Sequence, residues 1–436
     1  MRLLGISKSE IMSAKQFREF SSRVGVDLSS GLQHQDEEGF SSVSSNHPAM
    51  RCIDIARNSR RDLRYAYAFI SPDLTFYEVQ HLDKEYARFK KFNGLLDFTD
   101  MMVRLAERPQ FIPKFRAAFL DEAQDLTPLQ WEVALHIAEK SDRMYIAGDD
   151  DQGIYRWAGA DTNRFASLDG GSEVLSQSHR VPRSIWKIAD KAVQRIQHRQ
   201  KKIWSPRPEE GSVSRHYDEH QIEFERDDEW LVLAQANFML DNLAEHMKMS
   251  GIYFERRGEP SLKKGLSRAI HAWQHLSADS AHEITVREAQ NLYDHIASGE
   301  GGIERGAKKR LSRADEKEML SFPLLRQEYG LRCAPNDPWD TALSRVGDAE
   351  LAYAHALMSR GIDIFKAPRI KLSTIHGSKG GEADNVLLFL DLTGRAIAEM
   401  ERNPDDANRV LYVGLTRARE NLVLKYPEDQ QRGWAI

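Results

Sequence analysis

The sequence predicts an α/β protein built on parallel sheets, and three observations carry that expectation. Two short apolar runs, Ala117–Leu120 and Met144–Ala147, each stop at acids, Asp121-Glu122 and Gly148-Asp149-Asp150-Asp151. A helical stretch lies between them. Further runs of strand length return after residue 172, interrupted by a long helical, charge-rich block. Strand, helix, strand with acids at the strand ends is the pattern of a parallel sheet that carries its chemistry at the carboxyl edge.

Composition narrows the class. The chain has 436 residues, 41% of them hydrophobic, enough to build cores and to exclude a wholly disordered chain. At roughly 150 residues per domain, the length suggests about three domains. No apolar run approaches the roughly 20 residues needed to cross a bilayer. Its two cysteines, Cys52 and Cys333, lie far apart and outside any C-x-x-C pattern. That excludes a disulfide scaffold or zinc ribbon and fits a reducing compartment. MRLLGISKSE is too short in apolar length for a signal peptide, so the expectation is a soluble, cytoplasmic protein. Lys and Arg number 61 against 66 Asp and Glu, which gives no global nucleic-acid signature. Polyanion binding depends on local patches instead.

Taken in order, residues 1 to about 95 read as mainly helical, with a polar stretch from Ser29 to Asn46 expected as a flexible loop. Leu95–Arg108 has the clearest amphipathic stripe. Thr127 and Pro128 suit an N-cap and first helical position, opening a helix from Leu129 to about Glu139. Candidate strands of the second sheet are Glu173–Leu175, Trp230–Ala234, Arg369–Thr374, Asn385–Leu390 and Asn421–Leu424. From Asn237 to about Pro368 the helical block interrupts that sheet, so it reads as an insertion. Its basic run, Lys308-Lys309-Arg310, reads more simply as a solvated helix face than as a track for nucleic-acid phosphates.

Two stretches carry chemistry. In Asp121-Glu122-Ala123-Gln124-Asp125, adjacent acids at the end of a strand can divide the work of triphosphate hydrolysis. Asp121 would hold Mg²⁺ and Glu122 would orient and deprotonate the attacking water. A lone Asp-Glu would more simply be a pair of helix-start acids; the apolar run before it and the second stretch after it favour the functional reading. That second stretch is Gly148-Asp149-Asp150-Asp151-Gln152-Gly153-Ile154-Tyr155-Arg156-Trp157-Ala158-Gly159-Ala160. Gln152 can hydrogen-bond a phosphate or its attacking water without adding charge. Tyr155 and Trp157, on a polar loop, can stack on bases; the plainer alternative is a metal-binding or merely solvated acidic loop with the aromatics tucked into the core.

Together DEAQD and GDDDQGIYRWAGA resemble motifs II and III of the UvrD/Rep-like family of superfamily 1 DNA helicases. Further segments fit that resemblance in order. Leu175–Arg180 is similar to motif IV, with Ser178 and His179 in place of an asparagine-tyrosine pair; Thr374–Glu382 is similar to motif V, with Gly381 for a leucine. Val410–Ala418 resembles motif VI, Leu96–Asp100 the D-F-x-D-L segment before motif II, and Ser250–Phe254 the G-I-P-Y segment.

The resemblance implies two RecA-like parallel-sheet domains, the first incomplete, with helical inserted subdomains. Residues 1–95 would be a helical subdomain of the first motor domain and 96–172 its remainder. Residues 173–240 and 366–436 would form the second domain, with 241–365 inserted. ATP and Mg²⁺ would be the cofactors, and single-stranded DNA and duplex junctions the substrates, with 3′-to-5′ movement; replication or repair proteins are possible partners. Arg180 and Arg417 would reach the γ-phosphate, where such an arginine is worth about 10³–10⁵ in rate. Glu382 would lie near the nucleotide sugar, and His376 and Lys379 near the DNA strand, with Tyr155 and Trp157.

One family element is missing from these residues. No Gly-Lys dipeptide occurs, so no G-x-x-x-x-G-K-[ST] phosphate loop can be drawn. The chain therefore resembles a family member that begins inside the helical part of its first domain. Weak ATP binding and negligible hydrolysis are expected, because most β- and γ-phosphate contacts come from that loop. The alternative is an ATPase-inactive remnant that grips single-stranded DNA or a protein partner. A phosphate loop supplied by another polypeptide is a third reading. Ala158 and Gln235 stand where relatives often carry arginine, which weakens two further contacts.

Overall fold

The computed structural model describes residues 2–28, 33–37, 40–44, 47–224 and 228–436. The chain divides into two compact units. One comprises Met1–Val174, Val193–Ile203 and Asn403–Val410; the other comprises Leu175–Ala192, Trp204–Arg402 and Leu411–Ile436.

In the first unit α1 (Ala14–Val24), strands β1 (Gln33–Glu37) and β2 (Phe40–Ser44), α2 (Pro48–Ser59), α3 (Leu63–Ile70) and α4 (Phe76–Asn93) come first. Then follow α5 (Phe98–Glu107), β3 (Ala118–Leu120), α6 (Pro128–Glu139), β4 (Met144–Ile146) and α7 (Thr162–Ala166). Phe20 packs its ring 5.1 Å from Tyr86 and 5.4 Å from Phe89, at the centre of the core shared by α1 to α4. Reciprocal caps at Ser13, Thr75, Asp97 and Thr127 start α1, α4, α5 and α6. Thr127 and Pro128 thus do what their residue types suggested.

Asp97 and Asp100, the cap pair of α5, also receive cations from two other helices. Arg57 of α2 lies 2.7 Å from Asp97, and Lys90 of α4 lies 2.6 Å from Asp100. Buried charges persist when paired and hydrogen-bonded, so this cluster locks α2, α4 and α5 together.

The polar stretch expected as a loop is corrected where it is described. β1 and β2 pair antiparallel from Gln33↔Ser44 to Glu37↔Phe40. Backbone pairing gives a Ser- and Gly-containing stretch its order, and composition does not reveal it. The rest of that stretch, Ser29–Leu32, Glu38–Gly39 and Ser45–Asn46, lies outside the described residues.

Strands β3 and β4 pair in parallel, Phe119 opposite Tyr145. One face, through Leu120, Met144 and Ile146, packs on Trp131 and Ala134 of α6. The other shows Phe119, 79% exposed, and Tyr145, 49% exposed, stacked 5.0 Å apart at 11°. Among the described residues this sheet has two strands.

Into the second unit the chain runs through α8 (Arg183–Val193), β5 (Ser212–His216), β6 (Trp230–Ala234), α9 (Asp241–Met249), β7 (Phe254–Arg256) and β8 (Glu259–Pro260). The inserted block follows: α10 (Lys264–Ala278), β9 (Glu283–Thr285), α11 (Val286–Asp294), α12 (Ala307–Leu311), β10 (Met319–Ser321), α13 (Phe322–Gln327), α14 (Trp339–Ala342) and α15 (Asp348–Ser359). It packs around its own core, including Trp273, Tyr293 and Phe322. β11 (Ile370–Thr374), β12 (Ala383–Phe389), α16 (Gly394–Arg402), α17 (Pro404–Leu415) and β13 (Ala418–Lys425) complete the chain.

Seven of these strands form one sheet in the order β5-β13-β12-β6-β11-β7-β8, parallel except for the β7–β8 pair. β6 is buried along its whole length, as a strand covered on both faces must be. Four of the five strands expected here are present. Glu173–Leu175 is not a strand: Leu175 is 89% exposed, and the three residues pair with no neighbouring strand. β5 takes the edge beside β13 instead. Among the described residues no helix is long and apolar enough to cross a membrane.

Candidate active site

The carboxyl ends of β3 and β4 are joined by one side chain. After β3 the chain turns through Glu122, a non-glycine residue at φ 53°, ψ 36°, a left-handed conformation that persists only when its surroundings hold it. The Glu122 N–H donates to Asp121 Oδ1 at 2.8 Å, and the Gln124 amide donates to Glu122 Oε2. Gln124 is fully buried, and its Oε1 accepts the N–H of Asp149, just after β4, at 2.9 Å. Gly148 makes room for this link: a Cβ there would lie 2.5 Å from Gln124 Oε1 and 2.8 Å from Phe165 Cζ. Asp121 and Glu122 themselves stay exposed. Their hard, exposed oxygens suit Mg²⁺ with its water shell.

Asp149 caps the 3₁₀ turn Asp150–Gln152, and its Oδ2 accepts the Gln152 amide at 2.8 Å. Gln152 is therefore brought to the acid pair through Asp149 and Gln124. The neighbouring carboxylates are neutralised from the segment 193–203 of the same unit. Lys202 Nζ lies 2.5 Å from Asp149 and from Asp150 and 3.1 Å from Asp151. Arg199 grips Asp151 with two hydrogen bonds of 2.7 and 2.6 Å. Arg409 donates to the Asp150 carbonyl at 2.9 Å. Burial opposes the Lys202 charge, yet the three carboxylates hold the ammonium well above its ordinary range. The same burial raises the Asp151 carboxyl even with Arg199 against it. The three carboxylates converge within 4.8 Å, close enough for a cation, but Lys202 already supplies the positive charge there.

Gln124, Arg199 and Lys202 were not foreseen as site residues. Gln124 lies inside the DEAQD run but reveals its reach only in space. Arg199 and Lys202 stand about fifty residues from their partners, with no local pattern to join them.

Tyr155 and Trp157 lie on a loop that turns through Arg156–Ala158 to Gly159 at φ 96°. Tyr155 is half-buried; burial raises its hydroxyl pKa, and the nearby Asp125 and Glu122 carboxylates add to the rise. Trp157 is 38% exposed, 6.2 Å from Tyr155 and under the guanidinium of Arg51 at 4.8 Å. The sequence alternative of both aromatics tucked into the core does not hold for Trp157.

The second unit holds Arg180, Arg417, His376 and Lys379. Arg180 hydrogen-bonds Glu382, whose other oxygen lies 3.5 Å from Arg419. Arg419 also pairs with Asp384 at 2.9 Å and Glu229 at 3.2 Å. Arg417 differs from Arg180: it is 1% exposed, and its guanidinium donates to the carbonyls of Val413 at 3.0 Å and Gly381 at 3.2 Å. Gly381 precedes Glu382, so Arg180, Glu382 and Arg417 meet at the start of β12. In this conformation Arg180 is the partly exposed guanidinium and Arg417 the enclosed one. His376 and Lys379 sit half-buried on the turn after β11, which Thr374 Oγ1 fixes by accepting the Gly377 N–H at 3.1 Å.

Residues 43–171 match the UvrD/REP helicase N-terminal domain, and residues 349–429 match the UvrD-like helicase C-terminal domain. The chain is 25% identical over 418 residues to the ATP-dependent DNA helicase UvrD2 of Mycobacterium tuberculosis, an alignment covering 83% of this chain and 56% of that protein. It is 28% identical over 155 residues to the ATP-dependent DNA helicase PcrA of Bacillus subtilis, covering 32% of this chain and 21% of the relative. The chain thus spans from about a fifth to just over half the length of these relatives. The chain thus carries matches to both the N-terminal and the C-terminal domains of UvrD-like helicases, with distant similarity to the UvrD2 and PcrA helicases.

Proposed function

We propose that the chain is part of an ATP-driven motor that moves 3′ to 5′ along single-stranded DNA in the cytoplasm. The Gln124 link carries most of the weight, because it holds Glu122 and, through Asp149, Gln152 in one hydrogen-bonded set. In this reading Asp121 holds Mg²⁺, which supplies charge neutralisation at the phosphates when bound. Glu122 orients and deprotonates the attacking water, and Gln152 hydrogen-bonds that water or the phosphate. Arg180 and Arg417 neutralise charge on the departing phosphoryl group, Arg417 after turning out of its buried position, and Glu382 positions Arg180. Tyr155, Trp157, His376 and Lys379 hold the strand. Residues 1–172 form the first motor domain with its helical subdomain, 173–240 and 366–436 the second RecA-like domain, with Val193–Ile203 and Asn403–Val410 lent to the first unit, and 241–365 an insertion.

The 436 residues alone are expected to hydrolyse ATP negligibly while still gripping DNA, since the lysine and backbone cradle for the phosphates have no counterpart among them. Steady-state ATP hydrolysis, with and without single-stranded DNA, tests this directly. A DNA-stimulated rate abolished by Glu122→Gln would overturn the expected impairment while supporting the motor. Failure to bind single-stranded DNA at all would count against both.

A further inference from the structure

We infer that His271, His275 and His282, in the inserted block, form a binding site for a divalent metal ion of borderline softness, Zn²⁺ being the probe, which clips the end of α10 to the start of β9.

The run H-x₃-H-x₆-H folds into one row of rings. His271 and His275 stand one turn apart on the exposed face of α10, while Ala272, Trp273 and Leu276 between and beside them are buried in the core of the block. His282 follows the turn after α10 and directly precedes β9. Its ring lies 4.3 Å from that of His275 at 4°, and the His275 ring lies 6.3 Å from that of His271 at 3°. His282 Nδ1 donates to the His275 carbonyl at 2.8 Å. In the neutral ring this leaves Nε2 with the lone pair, the usual way a ligating histidine is oriented. Neither His271 nor His275 has a hydrogen-bonded ring nitrogen among the described residues.

Ring spacing and nitrogen chemistry select the ligand. Two imidazoles on one tetrahedral ion, with metal–nitrogen bonds of about 2.0–2.1 Å, set their centres about 5 Å apart. The two spacings here fall on either side of that value. As stacked, the rings face one another and do not offer three nitrogens to one point. Turning them about their side-chain bonds closes the site. His271 and His275 are exposed, and Phe365, which meets the His271 ring edge-on at 5.1 Å, is itself 50% exposed, so core packing does not block that turn. Three imidazoles suit Zn²⁺ over Mg²⁺ or Ca²⁺, which prefer oxygen. Burial works against the Glu288 charge, but Thr285 and the nearby His271 and His275 hold its carboxyl below its ordinary range, so a negative charge stands beside the rings. Since β9 pairs with β10, a bound ion would tie α10 to both strands.

Calorimetric titration of the 436-residue protein, free of any polyhistidine tag, with Zn²⁺ in excess Mg²⁺ tests the assignment; the Mg²⁺ fills carboxylate sites. One equivalent of Zn²⁺ should bind. His271→Gln, His275→Gln and His282→Gln should each weaken it by more than about 10-fold, because losing a group that merely orients a ligand already costs about 10- to 100-fold. Thermal melting without metal checks that each variant folds. Should His282→Gln melt early through loss of its bond to the His275 carbonyl, His275→Gln decides, since its ring makes no hydrogen bond. Absence of saturable Zn²⁺ binding, or unchanged affinity in any folded variant of the three, would overturn the three-histidine site.

Discussion

The amide oxygen of Gln124 accepts the main-chain N–H of Asp149 at 2.9 Å, and so a buried glutamine ties the end of one strand to the end of its neighbour. Its other amide atom reaches Glu122. Gln124→Ala should therefore destabilise the first unit by about 1–3 kcal/mol, the cost of leaving a buried donor without its acceptor. Gly148→Ala should act in the same direction, by about 1–3 kcal/mol, because the added methyl collides with Gln124 and Phe165. Urea denaturation of both variants checks this; two wild-type midpoints would mean the link carries no strain or stability.

Lys202 holds three carboxylates at once. Lys202→Ala should cost about 3–5 kcal/mol, since removing one partner of a buried charge cluster leaves the others uncompensated. Lys202→Arg should retain most of the stability. Thermal unfolding compares the two, and equal losses would show that packing, not charge, is what Lys202 contributes.

Arg180 and Arg417 share an expected role but differ in burial, so they should differ in stability. Arg180→Ala removes a partly exposed ion pair and should cost less than about 1 kcal/mol. Arg417→Ala empties an enclosed site, takes the Arg417 donor from the Gly381 carbonyl and leaves Val413 with only that of Thr416, for about 2 kcal/mol or more. Matching melting curves for the two variants would contradict the inward position of Arg417.

The cluster around α2, α4 and α5 makes opposite pH predictions for two aspartates. Burial works against the Asp97 charge, but Lys90 and Arg57 hold its carboxyl well below the usual range. Its stabilisation is present above the unfolded value near pH 4 and is lost as pH falls further. Burial, reinforced by Asp97, pushes Asp54 up to about 7. The folded state binds that proton more tightly, so its contribution is present below about pH 4 and disappears as pH rises towards 7. Asp54→Asn should thus raise the urea midpoint at pH 8 relative to wild type and leave it nearly unchanged at pH 4. A midpoint difference that does not depend on pH would refute this.

Much of the fold was legible because its strands are short aliphatic runs bounded by polar residues. Trp230–Ala234 and Asn385–Leu390 needed no tertiary information, being hydrophobic on both faces. Glu173–Leu175 looked similar over three residues but lacks a neighbour to bond. Ser212–His216 went unread because an edge strand can be polar. At the site, the acids, Gln152 and the aromatics were visible as local runs. Lys202, Arg199 and Gln124 were not, because what each does depends on a partner brought close by folding. The enclosure of Arg417 was equally invisible, since an arginine has the same letter whether its guanidinium faces water or backbone carbonyls.

Phe119 and Tyr145 have a practical consequence for anyone handling this polypeptide. Two stacked rings on a sheet that has two strands among the described residues form a sticky, flat surface next to strand backbone that can recruit another copy. Concentrated preparations should clump through this spot first, and Phe119→Ser should raise the concentration at which light scattering sets in.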